Sequence, residues 1–322
     1  MPTIASIDDG RGREAENPLH LPRTAWRDIL IRTWNETGSD NVGLISAGVA
    51  FYTFLALVPL IAAFVLTYGL LADASTVAEH LQVLFDLLPT DAASLIGEQM
   101  IAVTKTAADK TGMGLAVALL LAIYGAMNGA SAIITALNVA YDEAETRSFI
   151  HTTLLSLAIT LGLLLVGILT ALAISALALL EGLLPWAPPF LITLIRIIFW
   201  AAAALGASAV IASIYRYAPN RRAARWRWLT AGSLFGTIGW LAMTLGFGLY
   251  VANIANYNAT YGALSAVVVL LMWLFLSAYI LIVGAELNSE IEHQTAHDTT
   301  VGAPRPMGER HAYVADTLGE VP

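Results

Sequence analysis

Residues 250–292 read YVANIANYNATYGALSAVVVLLMWLFLSAYILIVGAELNSEIE: a polar aromatic turn, an apolar run and an acidic amphipathic exit. Between Ala263 and Ala285 there is no charged residue. At about 1.5 Å of rise per residue, a helix of that length crosses the roughly 30 Å hydrocarbon layer of a bilayer. The whole chain agrees with its last third. Hydrophobic residues make up 57% of the 322 and charged residues 12%, and mean hydropathy is +0.70. That is too little polar surface to wrap the chain as a water-soluble globule, so an integral membrane protein is predicted.

Working outward, six apolar spans can be drawn, at 42–71, 112–138, 150–180, 189–214, 229–251 and 262–285. The expected fold is therefore all-α, a polytopic bundle of six transmembrane helices. The one long connection, 73–111, carries Val77, Leu81, Leu84, Phe85 and Leu88 at helical period before Pro89. It reads as two short amphipathic helices on the outer face. Ahead of the first span, Trp26, Ile29, Leu30 and Trp34 fit a short helix on the membrane surface. Asp40 and Asn41 then offer an N-cap. Residues 1–24 and 294–322 are polar and are expected to be disordered tails around a membrane domain of 25–293.

Thirteen of the sixteen Lys and Arg fall in the N-terminal stretch, the loops after spans two and four, and the C-terminal stretch. The positive-inside rule then places both termini in the cytoplasm. Trp186, Tyr217, Trp226 and Trp228 sit at span ends, where aromatic belts form. The net charge of −8 comes from the tails and one acidic loop, so no nucleic-acid partner is expected. With Cys 0, disulfides, thiolate nucleophiles and cysteine-ligated metals are excluded. The first forty residues hold no uninterrupted apolar core, and the first span is expected to serve as an uncleaved signal.

Within the spans, Asn128, Ser131, Thr135, Asn138 and Asp142 recur at steps of three and four along one side of span two. Lipid would not tolerate that stripe, so it is expected to face the protein interior. There it either joins helices or lines a polar path, and the spacing does not separate the two. Span three carries a weaker version in Ser156, Thr160, Gly167 and Thr170. Span five presents Gly232, Gly236, Gly239 and Gly246 on one side, a face that admits a close helix, whether of this chain or of a second copy in an oligomer. Arg196 is the one charge well inside a span, at a depth from which its side chain reaches the surface. Pro59 predicts a kink in span one.

Signatures of chemistry are lacking. There is no GxxxxGK loop and no GxSxG elbow. His293 and His297 have helical i, i+4 spacing near Glu290 and Glu292 but no HExxH glutamate, and they read as part of a solvated tail. No enzyme, metal or cofactor is expected.

Four blocks, AGVAFYTFLALVP (47–59), YGAMNGASAIITALNVAY (124–141), YRYAPNRRAARWRW (215–228) and residues 257–292, resemble the YihY/BrkB family of bacterial inner-membrane proteins. That family is also described as envelope-integrity proteins and was once labelled ribonuclease BN. The resemblance covers residues 25–293. It implies six spans with cytoplasmic termini in a bacterial inner membrane. It also implies, by links of family members to serum resistance and lipopolysaccharide-precursor export, an envelope lipid or amphiphile as cargo. A metal-dependent nuclease needs clustered His and carboxylate ligands, and none is visible. The resulting expectation is a transporter or flippase-like exporter of a lipid or amphipathic solute, the alternative being a non-transporting scaffold of the envelope. Asn253, Tyr257 and Tyr261 are expected at the outer end of the last span. Glu286 and Asn288 are expected at its inner end, with Glu286 paired to an arginine of the 216–227 loop.

Overall fold

The computed structural model describes residues 10–68, 93–94, 96–98, 101, 113–184, 186–253 and 264–322. Seven long helices follow in order among them: α1 (Arg23–Ser39), α2 (Val42–Tyr68), α3 (Met113–Ala140), α4 (Phe149–Leu183), α5 (Pro189–Tyr217), α6 (Thr230–Asn253) and α7 (Ser265–His293), with a short α8 (Tyr313–Asp316). The last six long helices are each long and apolar enough to cross a membrane. In lipid a backbone has no water to bond, so a charge-free apolar run becomes helix because each N–H then finds its own carbonyl. The expected bundle of six spans is present. The expected outer helices of 73–111, together with Tyr257 and Tyr261, fall largely or wholly outside the described residues.

Local signals set the boundaries. Pro189 opens α5, where a missing N–H costs nothing, and the Ser148 side chain caps α4 by accepting from His151 N. Asn41 (φ 53°) and Asp142 (φ 54°) turn the chain in the left-handed region just before α2 and just after α3, a conformation that Asn and Asp tolerate best after Gly. Asp40 does not open α2; it closes α1, its N–H bonded to Glu36 O.

α7 is the hub. It packs against α1, α2, α3, α6 and α8, while α2 lies along α3 and α5 leans mainly on α6. Close approach between α2 and α3 depends on glycine: a Cβ on Gly125 would lie 2.8 Å from the Pro59 ring. α2 stays helical through Pro59, so the proline serves this contact. The buried cluster of Val42, Leu137, Tyr141, Tyr215, Ile282 and Ala285 lies toward the face that carries residues 10–22 and 294–322, called here the terminal face.

That face differs most from expectation. Residues 294–322 were expected to be a disordered tail, yet Gln294, Thr299, Thr300 and Val314 are all fully buried. Val301 N donates to Ala223 O and Arg225 N to Thr299 O, pairing the tail with the loop after α5. Arg13 donates to Gly319 O at 2.6 Å and accepts from Ala296 N, which draws residues from 10 onward into the same cap. The disorder rule weighs apolar burial. This tail is held instead by buried polar side chains that meet backbone groups: Arg310 donates to Ala315 O and Ala296 O, and Asp298 accepts from Thr300 and Arg305. α1, expected to lie on the membrane surface, buries Ile29 and Arg32 against α7 and Asp28 against Arg11, and keeps Leu30 and Trp34 exposed.

Candidate functional site

Ile45, Gly48 and Tyr52 of α2 face Asn128, Ser131 and Thr135 of α3 across a cleft of about 530 Å³. Tyr52 is half exposed, and Asn128, Ser131 and Thr135 are exposed. The stripe that was expected to face the bundle interior therefore looks outward into a lateral groove. Lipid tolerates it because its donors turn back on their own helix: Asn128 Nδ2 donates to Gly125 O at 3.3 Å and Thr135 Oγ1 to Ser131 O at 3.1 Å. The walls run about seven residues along α2, roughly 10 Å at 1.5 Å per residue. That covers only about a third of the roughly 30 Å hydrocarbon layer, on the side nearest the terminal face.

Val49 separates this groove from an inner, mostly apolar cavity of about 250 Å³ lined by Thr53, Ile211, Gly236, Trp240 and Ser277. The floor of that cavity is tied across helices. Trp240 Nε1 donates to Ser277 Oγ at 3.0 Å, and outside the lining Trp273 Nε1 donates to Thr244 Oγ1 at 3.3 Å between the same two helices.

The other members of the stripe go elsewhere. Asn138 is buried; its Nδ2 donates to Glu145 and its Oδ1 accepts from Asn220 N at 2.7 Å, joining the loops after α3 and α5. Arg196 is on neither the groove nor that network. It makes a two-pronged, exposed ion pair with Glu181 across the α4–α5 hairpin, at 2.6 and 2.7 Å, beside a cleft lined by Leu177 and Trp200. Glu181 was readable in the sequence as the acid nearest Arg196 along the chain, fifteen residues before it. The five candidate path residues thus occupy three places.

At the terminal end of α7, Glu286 does not pair with a loop arginine. Arg221 from that loop pairs with Glu292 at 2.7 Å, both side chains nearly or fully buried. Six residues of helix, about 9 Å, separate Glu292 from Glu286 and put the latter beyond that arginine. Arg216 instead stacks over Trp226 and donates to Ala224 O. Glu286 lies against Asp40. Asn288 is fully buried and caps α6: its Oδ1 accepts from Gly232 N at 2.7 Å and its Nδ2 donates to Leu229 O. Asn253, at the far end of α6, bonds only Leu249 O among the contacts described. Trp228, expected in an interfacial belt, is buried against α1 and α7 instead.

Outside the spans, carboxylates at this end split by environment. Glu145 is pulled down to about 2, first by its hydrogen bond with Arg147. Asp40 is pushed up to about 6, first by burial and then by Asp142 and Glu36; burial likewise raises Asp142 and Glu143. His293 bonds Thr317 and lies 3.5 Å from Glu290, so it belongs to the cap. Among the described residues no three His, Asp or Glu are grouped as metal ligands.

The sequence matches the family model described as "Virulence factor BrkB" over residues 33–307. The chain belongs to the BrkB family. It is 32% identical over 247 residues to the ribonuclease-like protein YfkH of Bacillus subtilis, covering 76% of this chain and 88% of that one. It is 27% identical to a UPF0761 membrane protein of Alteromonas mediterranea, covering 83% and 89% of the two chains. A third relative, a UPF0761 membrane protein of Methylibium petroleiphilum, is 28% identical, covering 92% of this chain and 69% of that one. No solved structure matches the chain. With six apolar helices, these relatives make it a multi-pass bacterial membrane protein; the word ribonuclease in one relative's name is no evidence of catalysis here.

Proposed function

We propose that this protein moves an envelope lipid or amphipathic solute, as a transporter or flippase-like exporter, by admitting its polar head into the α2–α3 groove. The observation that carries this reading is the groove's exposed polar wall, Asn128, Ser131 and Thr135, facing the lipid beside apolar α2. In a bilayer, polar groups on an outward helix face cost free energy, only part of which the bonds of Asn128 and Thr135 to their own helix recover, and polar positions within a membrane are functional candidates by default. Tyr52 and Gly48 leave room for a head group while acyl chains stay in the membrane. The positive terminal face is the cytoplasmic one, so the groove loads from the cytoplasmic leaflet. Because it spans only part of the bilayer, transfer requires α2 and α3 to rearrange.

The test uses purified protein in liposomes with a fluorescent phospholipid whose outer-leaflet copies are chemically quenched. Wild type should speed exchange between leaflets, Asn128→Leu should return it to the rate of protein-free vesicles, and Arg196→Gln should leave it intact. Wild type no faster than empty vesicles overturns the reading.

A non-transporting scaffold is the second reading, favoured by the folded cap of residues 10–22 and 294–322, a built surface at the terminal face. Crosslinking from exposed cap positions in membranes that recovers no protein partner counts against it.

A further inference from the structure

Two carboxyl groups meet near the terminal ends of α2 and α3, the helices that wall the groove. Glu286 of α7 is 2% exposed and lies within hydrogen-bond reach of Asp40, between α1 and α2. Its Oε1 has no hydrogen-bond partner. Asp142, Glu36 of α1 and Glu290 of α7 face the same pair, and Tyr141 faces Glu286. The nearby cations are engaged: Arg32 with Glu290, Arg221 with Glu292, and His293, which faces Asp142, with Glu290 and Thr317.

Two carboxyl groups hydrogen-bond each other only when one of them keeps a proton. A buried carboxylate oxygen without a donor bears its desolvation uncompensated. We infer that Asp40 and Glu286 form a proton-binding site that clamps α2, α3 and α7 together near the terminal ends of the helices that wall the groove. The position makes it a clamp. Asp40 stands two residues before α2, whose early turns hold Ile45 and Gly48. Asp142 stands two residues past α3, whose last turns hold Thr135 and Ala136. With the proton present, the pair bridges α7 to the start of α2. Without it, the buried charge of Glu286 repels the partly exposed Asp40 and the exposed Asp142, and the start of α2 parts from the end of α3. That this parting widens a lipid path rests on the function proposed above; the proton site itself does not.

The full chain in liposomes serves for the test, and its lack of cysteine makes labelling clean. Infrared titration should show a protonated-carboxyl stretch at neutral pH that disappears in alkaline buffer. It should be absent at neutral pH from Glu286→Gln and, in Asp40→Asn as a second variant, should disappear at a lower pH than in wild type. Spin labels at Leu44→Cys near the start of α2 and Ala144→Cys just past α3, both exposed, bracket the joint. Their separation should lengthen as the stretch disappears and stay short at every pH in Glu286→Gln. No protonated-carboxyl signal at neutral pH, the same signal in Glu286→Gln, or an unshifted titration in Asp40→Asn overturns the inference. So does a label distance that follows sodium concentration at fixed pH, which would make this a metal-cation site. Titration of signal and distance without any lipid exchange supports the proton site while the groove reading falls; lipid exchange without that titration does the reverse.

Discussion

At the scale of single residues, the packing of α6 on α7 depends on the absence of one methyl group. A Cβ on Gly232 would lie 2.0 Å from Gly284 O and 2.5 Å from Asn288 Cγ, whereas around Gly246 there is open space. Gly232→Ala should therefore lower the melting temperature in detergent, with an overpacking cost of roughly 1–3 kcal/mol or more, and Gly246→Ala should not. The charged residues make a sharper contrast. Removing Glu292 leaves the buried Arg221 without its partner, a loss of about 3–5 kcal/mol for buried pairs, so Glu292→Gln should destabilise strongly. Glu286→Gln keeps a hydrogen-bond donor beside Asp40 without the ionisable proton and should leave the melting temperature at neutral pH unchanged, whereas pairing with a loop arginine predicts a loss. Asp40 also gives a pH dependence. Burial and its acidic neighbours raise it from 3.8 to about 6, so the folded chain binds this proton more tightly than the unfolded one. Stability should fall as pH rises from about 4 to about 6 and change no further through this group above that; Asp40→Asn should flatten the slope in melting curves taken across that range.

At the scale of elements, the start of α6 is held by another helix rather than by its own cap. Asn288 of α7 reaches Gly232 N and Leu229 O. Asn288→Ala leaves these buried groups unpaired, at roughly 1–3 kcal/mol, and amide exchange should quicken first over residues 229–236 rather than across the bundle. The glycine face of α6 was legible as a site of close approach. Its partners were not: α7 takes Gly232 and Gly239 and α5 takes Gly236, leaving Gly246 open for any second chain. The span-two stripe was legible as a periodicity, and its neighbours Gly125 and Gly129 decided which way it points. Those glycines bring Pro59 and Thr53 of α2 onto one side of α3, and the polar residues are left at the rim of that contact, facing out. Helical spacing says that residues share a side; which neighbour covers that side is a long-range fact.

At the scale of the whole molecule, the terminal cap joins residues 10–22 and 294–322 to the loops after α3 and α5. Tyr313 N donates to Glu143 Oε1 and Arg222 N donates to His311 O. Removing residues 298–322 should lower the melting temperature of the full bundle and speed proteolysis within 218–228, because the tail supplies the acceptors and cover for that loop. Sequence alone determined the membrane, the six spans and the shared terminal face, since an apolar run in lipid has only the helix to satisfy its backbone and Lys and Arg count linearly along the chain. The family was legible as well, in blocks of contiguous residues. Only the tertiary structure decided that the tail is folded, that the polar stripe opens sideways and that Glu286 meets Asp40 rather than an arginine. Each of those depends on pairings between residues tens to hundreds of positions apart, set by where packed backbones bring side chains, and no local period carries that information.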